Sequence, residues 1–142
     1  MPQILIADDS PSIRQLVRAM LQSEGYTLQE ATDGAEALTV LRAADAPMVV
    51  LLDYEMPNLT GEGVLRAVAD DSKGLLAANE YIVISAHADT FPESFIDLLR
   101  HLSIRVLKKP FEREQLVPLV AQAIVRLTAP REDIFAQGQS EE

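Results

Sequence analysis

Cysteine is absent from all 142 residues, which excludes disulfides, thiol catalysis and zinc–thiolate sites. Long apolar runs are missing as well. None approaches the roughly 20 residues of a membrane span. The opening Met1-Pro2-Gln3, followed by a short apolar stretch ending in acids, lacks the basic and long apolar regions of a secretory leader. A cytoplasmic protein is the expectation. Positive charge is scarce: 12 Lys and Arg against 22 Asp and Glu give a formal net charge of -10. Such a chain repels phosphate backbones and anionic lipid, so neither nucleic acid nor membrane is expected as a direct partner. Aromatics are only 5% of residues, yet 48% are hydrophobic and 24% charged, a balance that supports a packed core rather than disorder. A chain of this length holds one domain and buries roughly 68–70% of its unfolded surface, so it needs no disulfide or structural metal.

Short apolar runs at Ile4 to Ala7, Met48 to Leu52 and Tyr81 to Ile84 lack the alternation of a half-wet strand and predict strands buried on both faces. Between the first two, Ile13, Leu16, Val17, Met20 and Leu21 recur at helical spacing behind an N-cap at Ser10 and a first-turn proline, Pro11. Gly25 ends that helix, a strand near Tyr26 to Gln29 follows, and Asp33-Gly34 opens a helix carrying Ala37, Leu38 and Leu41. Val64, Leu65 and Val68 mark a third helix. The stretch from Asp70 to Asn79 reads as helix end and loop, Phe91 to Leu102 as a fourth helix and Ser103 to Leu107 as a fifth strand. A last helix has Leu116, Leu119, Val120, Ala123, Ile124 and Leu127 on its inner face. Residues 1–127 make the domain, and 128–142 a polar tail in which Ile134 and Phe135 offer the only bulky apolar pair. There is no internal repeat.

Strict alternation of strand and helix implies right-handed crossovers and an α/β fold, a doubly wound (βα)5 unit with a five-stranded parallel sheet. The flavodoxin-like order 2-1-3-4-5 is favoured among the doubly wound arrangements. Asp8 and Asp9 then follow the first strand, Asp53 ends the third, Ser85 ends the fourth and Lys109 follows the fifth. In such sheets ligands bind outside the carboxyl ends, where strand order reverses. Three carboxylates crowded there repel one another until one takes a proton or a cation joins them. Oxygen ligands without histidine or thiolate suit Mg2+, or Mn2+. A carboxylate is also a competent nucleophile on phosphorus when metal, lysine and hydroxyl groups offset the charge of the moving phosphoryl group.

Ala7-Asp8-Asp9-Ser10, Leu52-Asp53-Tyr54-Glu55-Met56-Pro57 with Gly61, Ile84-Ser85-Ala86 and Lys109-Pro110-Phe111, in that order at the strand ends, resemble the signature of the response-regulator receiver domain over about residues 3 to 127. The resemblance implies that Asp53 accepts a phosphoryl group from a phosphohistidine on a sensor histidine kinase or a histidine phosphotransfer protein. It implies Mg2+ ligation by Asp9, Asp53 and the backbone carbonyl of Glu55, with Asp8 acting through a water. Ser85, Ala86 and Lys109 would meet the phosphoryl oxygens, and the Lys109-Pro110 peptide would be cis. The face built by the fourth helix, fifth strand and last helix would be remodelled for a downstream protein, and a homodimer through those helices stays open.

Three positions depart from the common pattern or tune it. Val106 stands where the family often has an aromatic residue, which removes a rotamer switch there. Glu55 and His87, each two residues beyond a site member, occupy places that often govern access of water; they are expected to pair with each other, or Glu55 with Lys109. Two other functions compete. A phosphatase of the haloacid dehalogenase type would need an aspartate where Glu55 stands, and a flavodoxin-like mononucleotide binder would need phosphate donors where Asp8 and Asp9 stand. A receiver acting by contact without phosphorylation is a third option. Too few residues follow Leu127 for an output module, so the expectation is a stand-alone regulator rather than an enzyme.

Overall fold

The strands pair as the apolar runs require. The computed structural model describes residues 2–128; the tail with Ile134 and Phe135 lies outside them. Strands β1 (Gln3–Ala7), β2 (Thr27–Ala31), β3 (Met48–Asp53), β4 (Glu80–Ser85) and β5 (Arg105–Lys108) form one parallel sheet in the order β2-β1-β3-β4-β5. The helices that cross between them are α1 (Pro11–Gln22), α2 (Gly34–Ala43), α3 (Gly61–Asp70) and α4 (Glu93–Leu102), and α5 (Arg113–Thr128) follows the last strand.

Side-chain alternation along β3, whose residues are all buried, divides the core in two. Met48, Val50 and Leu52 face one layer with α2, α3 and α4, while Val49 and Leu51 face the other with α1 and α5. That two-sided burial is why the central runs show no polar alternation. Each fully buried Leu, Ile, Val or Phe contributes roughly 1.5–3 kcal/mol. Side-chain caps start the first three helices. Ser10 accepts from the Ile13 N–H at 3.3 Å, Asp33 from Glu36 at 2.8 Å and Thr60 from Gly63 at 3.1 Å, each worth about 1 kcal/mol.

Several boundaries differ from the sequence expectation. Helix α1 ends at Gln22 with Ser23 as its cap, and Gly25 serves the following turn at φ 81°. The edge strand β2 runs on to Ala31 because its backbone pairs with β1 as far as Ala7, which polar Gln29 and Glu30 conceal. Ser103 does not open β5; it caps α4 in the left-handed region at φ 56°, so the strand begins at Arg105. Within the expected loop before β4, residues Leu75–Ala78 form one helical turn, anchored by buried Leu75. A 3-10 turn at Ala88–Thr90 precedes α4. Leu16 is 45% exposed: at roughly 100° per residue it sits to the side of the stripe centred on Val17. Pro118 lies inside α5 on its exposed side, where the carbonyl it leaves unpaired faces water.

Candidate functional site

Asp8 extends β1 by donating its N–H to the Ala31 carbonyl at 3.1 Å, and its Oδ1 accepts from the Ser10 N–H at 2.9 Å. Ser10 therefore does the helix capping, and the aspartates are left to face the sheet end. Asp53 closes β3 and is buried. The next loop folds tightly over it, with the Gly61 N–H on the Tyr54 carbonyl at 2.8 Å. A Cβ at Gly61 would lie 2.7 Å from the Asp53 carbonyl oxygen and 2.9 Å from Tyr54 Cα, so only glycine fits that approach. Ser85 closes β4 with no exposed surface, its Oγ accepting the His87 N–H at 2.9 Å. Lys109 donates its backbone N–H to the Ser85 carbonyl at 2.8 Å, and the Lys109–Pro110 peptide is cis.

These strand ends converge. Carboxylate oxygens of Asp8, Asp9 and Asp53 all lie within 4.8 Å of one another. Lys109 Nζ lies 3.0 Å from Asp8 Oδ2 and 3.4 Å from Asp53 Oδ1. Burial and then the charge of Asp8 push the Asp53 carboxyl up to about 6, against the opposing pull of Lys109 and of the Glu55 N–H that it accepts. For Lys109, burial favours the neutral amine, but the hydrogen bond to Asp8 and the charges of Asp53 and Asp8 outweigh it and raise its pKa. One ammonium cannot neutralise three carboxylates. An all-oxygen donor set with residual negative charge fits a hard divalent cation such as Mg2+.

Asp8, Asp9, Asp53 and Lys109 thus come together as the sequence implied, with Ser85 on the adjoining strand end and exposed Ala86 on the loop after it. Glu55 resolves to one of its two expected partners: His87 Nδ1 lies 2.5 Å from Glu55 Oε1, both side chains exposed, while Lys109 turns to Asp8 and Asp53. Val106 sits away from this cluster on β5, 37% exposed. Two contributors escaped the sequence reading. Arg14 donates to the Asp8 carbonyl at 2.7 Å and to Glu30 at 2.9 Å, which ties the aspartate loop to β2. Its place on the first turn of α1, facing an acidic strand end, was the available signal. Tyr54 packs its ring against Phe91 and Phe95 with centroids 4.6 and 4.9 Å away.

The sheet order and the carboxylates at its switch point, with a lysine just beyond β5, make this a flavodoxin-like doubly wound fold with an acidic pocket at the carboxyl ends of its strands. The family model described as the response regulator receiver domain matches residues 4–121, and the chain belongs to that family of two-component signalling proteins. It is similar to the response regulator MprA of Mycobacterium avium, 32% identical over 140 residues covering 92% of this chain and 54% of the relative. It is also similar to the DNA-binding response regulator MtrA of Mycolicibacterium smegmatis, at 30% over 127 residues, 87% of this chain and 51% of that one. Among solved structures, the chemotaxis protein CheY4 of Vibrio cholerae superposes with a TM-score of 0.72 at 28% identity, covering 87% of this chain and 98% of that one. TrrA of Thermotoga maritima, crystallised with Mg2+-BeF, gives 0.71 at 30% identity, 87% of this chain and 99% of that one.

The chain spans about half the length of the curated relatives it matches. The expectation against nucleic acid finds no support in a set that includes a DNA-binding regulator, because the charge of this stretch says nothing of what a longer protein carries. Among the described residues no helix is long and apolar enough to cross a membrane.

Proposed function

We propose that Asp53 is the phosphoacceptor of a two-component phosphorelay. The observation that carries this reading is the placement of buried Asp53 beside Asp8, with Lys109 Nζ 3.4 Å from its Oδ1: a nucleophile and a fixed positive charge meet at the carboxyl end of the sheet. An Asp53 oxygen attacks phosphorus, the new O–P bond forms as the P–N bond of a donor phosphohistidine breaks, and the imidazole leaves with the electron pair. Lys109 offsets charge on the phosphoryl oxygens. Ser85 Oγ uses a lone pair on the His87 N–H, which leaves its own hydrogen available to a phosphoryl oxygen.

Asp9, Asp53 and the Glu55 carbonyl would hold Mg2+, or Mn2+, with Asp8 acting through a water; bound there, the ion supplies charge neutralisation. The donor set supports this, as does the Mg2+-BeF complex of TrrA. Glu55 and His87, paired at the rim, govern the approach of water to the acyl phosphate and so its lifetime. The protein acts in the cytoplasm as a regulator rather than an enzyme with its own substrate. Its output is protein contact through the α4, β5 and α5 face, or onward phosphotransfer. Incubation with acetyl phosphate and Mg2+, followed by intact-mass measurement, should add one phosphoryl group to the chain and none to Asp53→Asn. No adduct on the native chain, or an adduct surviving in the variant, overturns the assignment.

A further inference from the structure

A cleft of about 410 Å³ opens between α4 and β5, walled by Ile96, Leu99, Ile104 and Val106 with Arg100 and Arg105 at its border. Both arginines are exposed. Among the described residues Arg14, Arg18, Arg42, Arg66, Arg113 and Arg126 each hold a carboxylate within 3.5 Å. Of the described arginines, Arg100 and Arg105 alone hold none. In a chain of net charge -10, two unpaired guanidinium groups flanking an apolar cleft call for a segment that is acidic and apolar at once.

The chain itself carries such a segment. Six residues beyond the described end of α5 comes Ile134-Phe135, directly preceded by Glu132-Asp133. The starting point is favourable. Arg126, in the last turn of α5, bonds Glu80 at the first residue of β4 at 2.8 Å, and Ile82 two residues on pairs with Arg105 of β5. Helix α5 ends with Leu127 and Thr128 at a recess shared with Gln3 of β1 and Pro47 just before β3, two to three strand spacings, roughly 10–15 Å, across the sheet from Arg105. Six residues can reach about 20 Å.

We propose that residues 132–135 dock in this cleft of their own chain, with Ile134 and Phe135 against Leu99 and Val106, and Glu132 and Asp133 on Arg100 and Arg105. The contact stands whether or not Asp53 is phosphorylated, so its test is independent of that reading.

The native chain has no cysteine, so an engineered pair reports without background. In the full chain, Ser103→Cys with Ala136→Cys should form an intramolecular disulfide at least tenfold faster than Asp45→Cys with Ala136→Cys. The control lies beside the recess formed by Ala46, Pro47 and Thr128, nearer to where the tail departs. The rate should not depend on protein concentration. It should fall to the control value when Arg100 and Arg105 are both changed to Glu, or Ile134 and Phe135 both to Ser. As a second readout, the Ser pair should shift the methyl resonances of Leu99 and Val106 and leave that of Val125 in place. A rate equal to the control, cross-linking only between chains, indifference to both sets of substitutions, or unmoved Leu99 and Val106 signals each overturn the proposal; the second would assign the cleft to another copy's tail.

Discussion

Asp53 stores an electrostatic penalty that a single substitution should release. Its carboxyl is raised from 3.8 to about 6 in the folded protein. The folded state therefore binds a proton more tightly than the unfolded chain does. Stability from this group is greatest below the unfolded value of 3.8 and is lost as pH rises through about 6. At about 1.36 kcal/mol per pH unit, a shift of about 2 units makes ionised Asp53 cost the native state about 3 kcal/mol at pH 8. Asp53→Asn keeps the shape and the acceptor for the Glu55 N–H and removes the charge. It should stabilise the protein by about 1–3 kcal/mol at pH 8 in chelator.

Urea unfolding resolves this comfortably, since slopes of roughly 1–3 kcal/mol per molar turn it into a midpoint shift on the order of 1 M. The gap between variant and native chain should shrink as pH falls, with about two thirds of it gone by pH 4.5. Excess Mg2+ should narrow it at pH 8 by stabilising the native chain more: saturation at a hundred times Kd adds about 2.7 kcal/mol. An Asp53→Asn variant no more stable than the native chain in chelator, or a gap that ignores pH, would refute the claim that repulsion with Asp8 and burial set the character of this site.

Lys109→Met should act in the opposite sense. It leaves Asp8 and Asp53 facing each other without their ammonium, with a loss of about 2 kcal/mol at pH 7.5 in chelator that Mg2+ largely restores; chelator and Mg2+ melts compared side by side check it. Because Lys109 is raised above its usual value, its stabilisation is complete below about pH 10.5 and fades only above that. Gly61→Ala should cost about 1–3 kcal/mol through the 2.7 Å approach to the Asp53 carbonyl and slow phosphorylation by acetyl phosphate, measured by mass. Glu55→Ala and His87→Ala should change the acyl-phosphate lifetime in the same direction, and the double variant no further, since either one breaks the same pair; unchanged decay in both ends that account. Phe95→Ala, which empties a fully buried position, should lose about 3–5 kcal/mol in urea melts.

The fold and the clustering of polar residues at the strand ends were legible because buried parallel strands leave nothing polar except at their ends. Asp8, Asp53, Ser85 and Lys109 stand out against Ile6, Leu52, Ile84 and Leu107 by contrast alone. Edge elements were less legible. At β2 and β5 the pairing that defines the strand is made by backbone, so Glu30 and Arg105 look like surface residues and the strand limits shift. The α4 cap at Ser103 was hidden for a different reason: a left-handed serine has no signature that a left-handed glycine would carry. Arg14 was harder to place because one of its two partners is the Asp8 carbonyl oxygen, which no residue type announces, and the other, Glu30, reads as an ordinary surface acid. The choice of Glu55 between His87 and Lys109 depended on whether Asp8 and Asp53 satisfy the lysine, a question of three-dimensional charge balance.

If Asp53 takes up a phosphoryl group as proposed, Val106 offers no aromatic side chain to carry the change to the outer face, and the aromatic residues nearest Asp53 offer another route. Tyr54 follows it directly and meets Phe91 and Phe95, which meet each other edge-on at 5.0 Å. Phe91 stands just before α4 and Phe95 in its first turn, so the residue that follows Asp53 is in van der Waals contact with the start of that helix. Packed aromatic clusters resist small displacement, because their preferred geometries are few and close packing leaves no slack. A charge change at Asp53 that moves Tyr54 is either absorbed in the loop to Gly61, whose N–H is bonded to the Tyr54 carbonyl at 2.8 Å, or passes into α4. Tyr54→Ala should accordingly cut the amide chemical-shift changes that phosphorylation produces across α4, while leaving the rate of phosphoryl uptake near the native value. Full-size α4 shifts in that variant would send the search for the coupling element to β4 and Ser85.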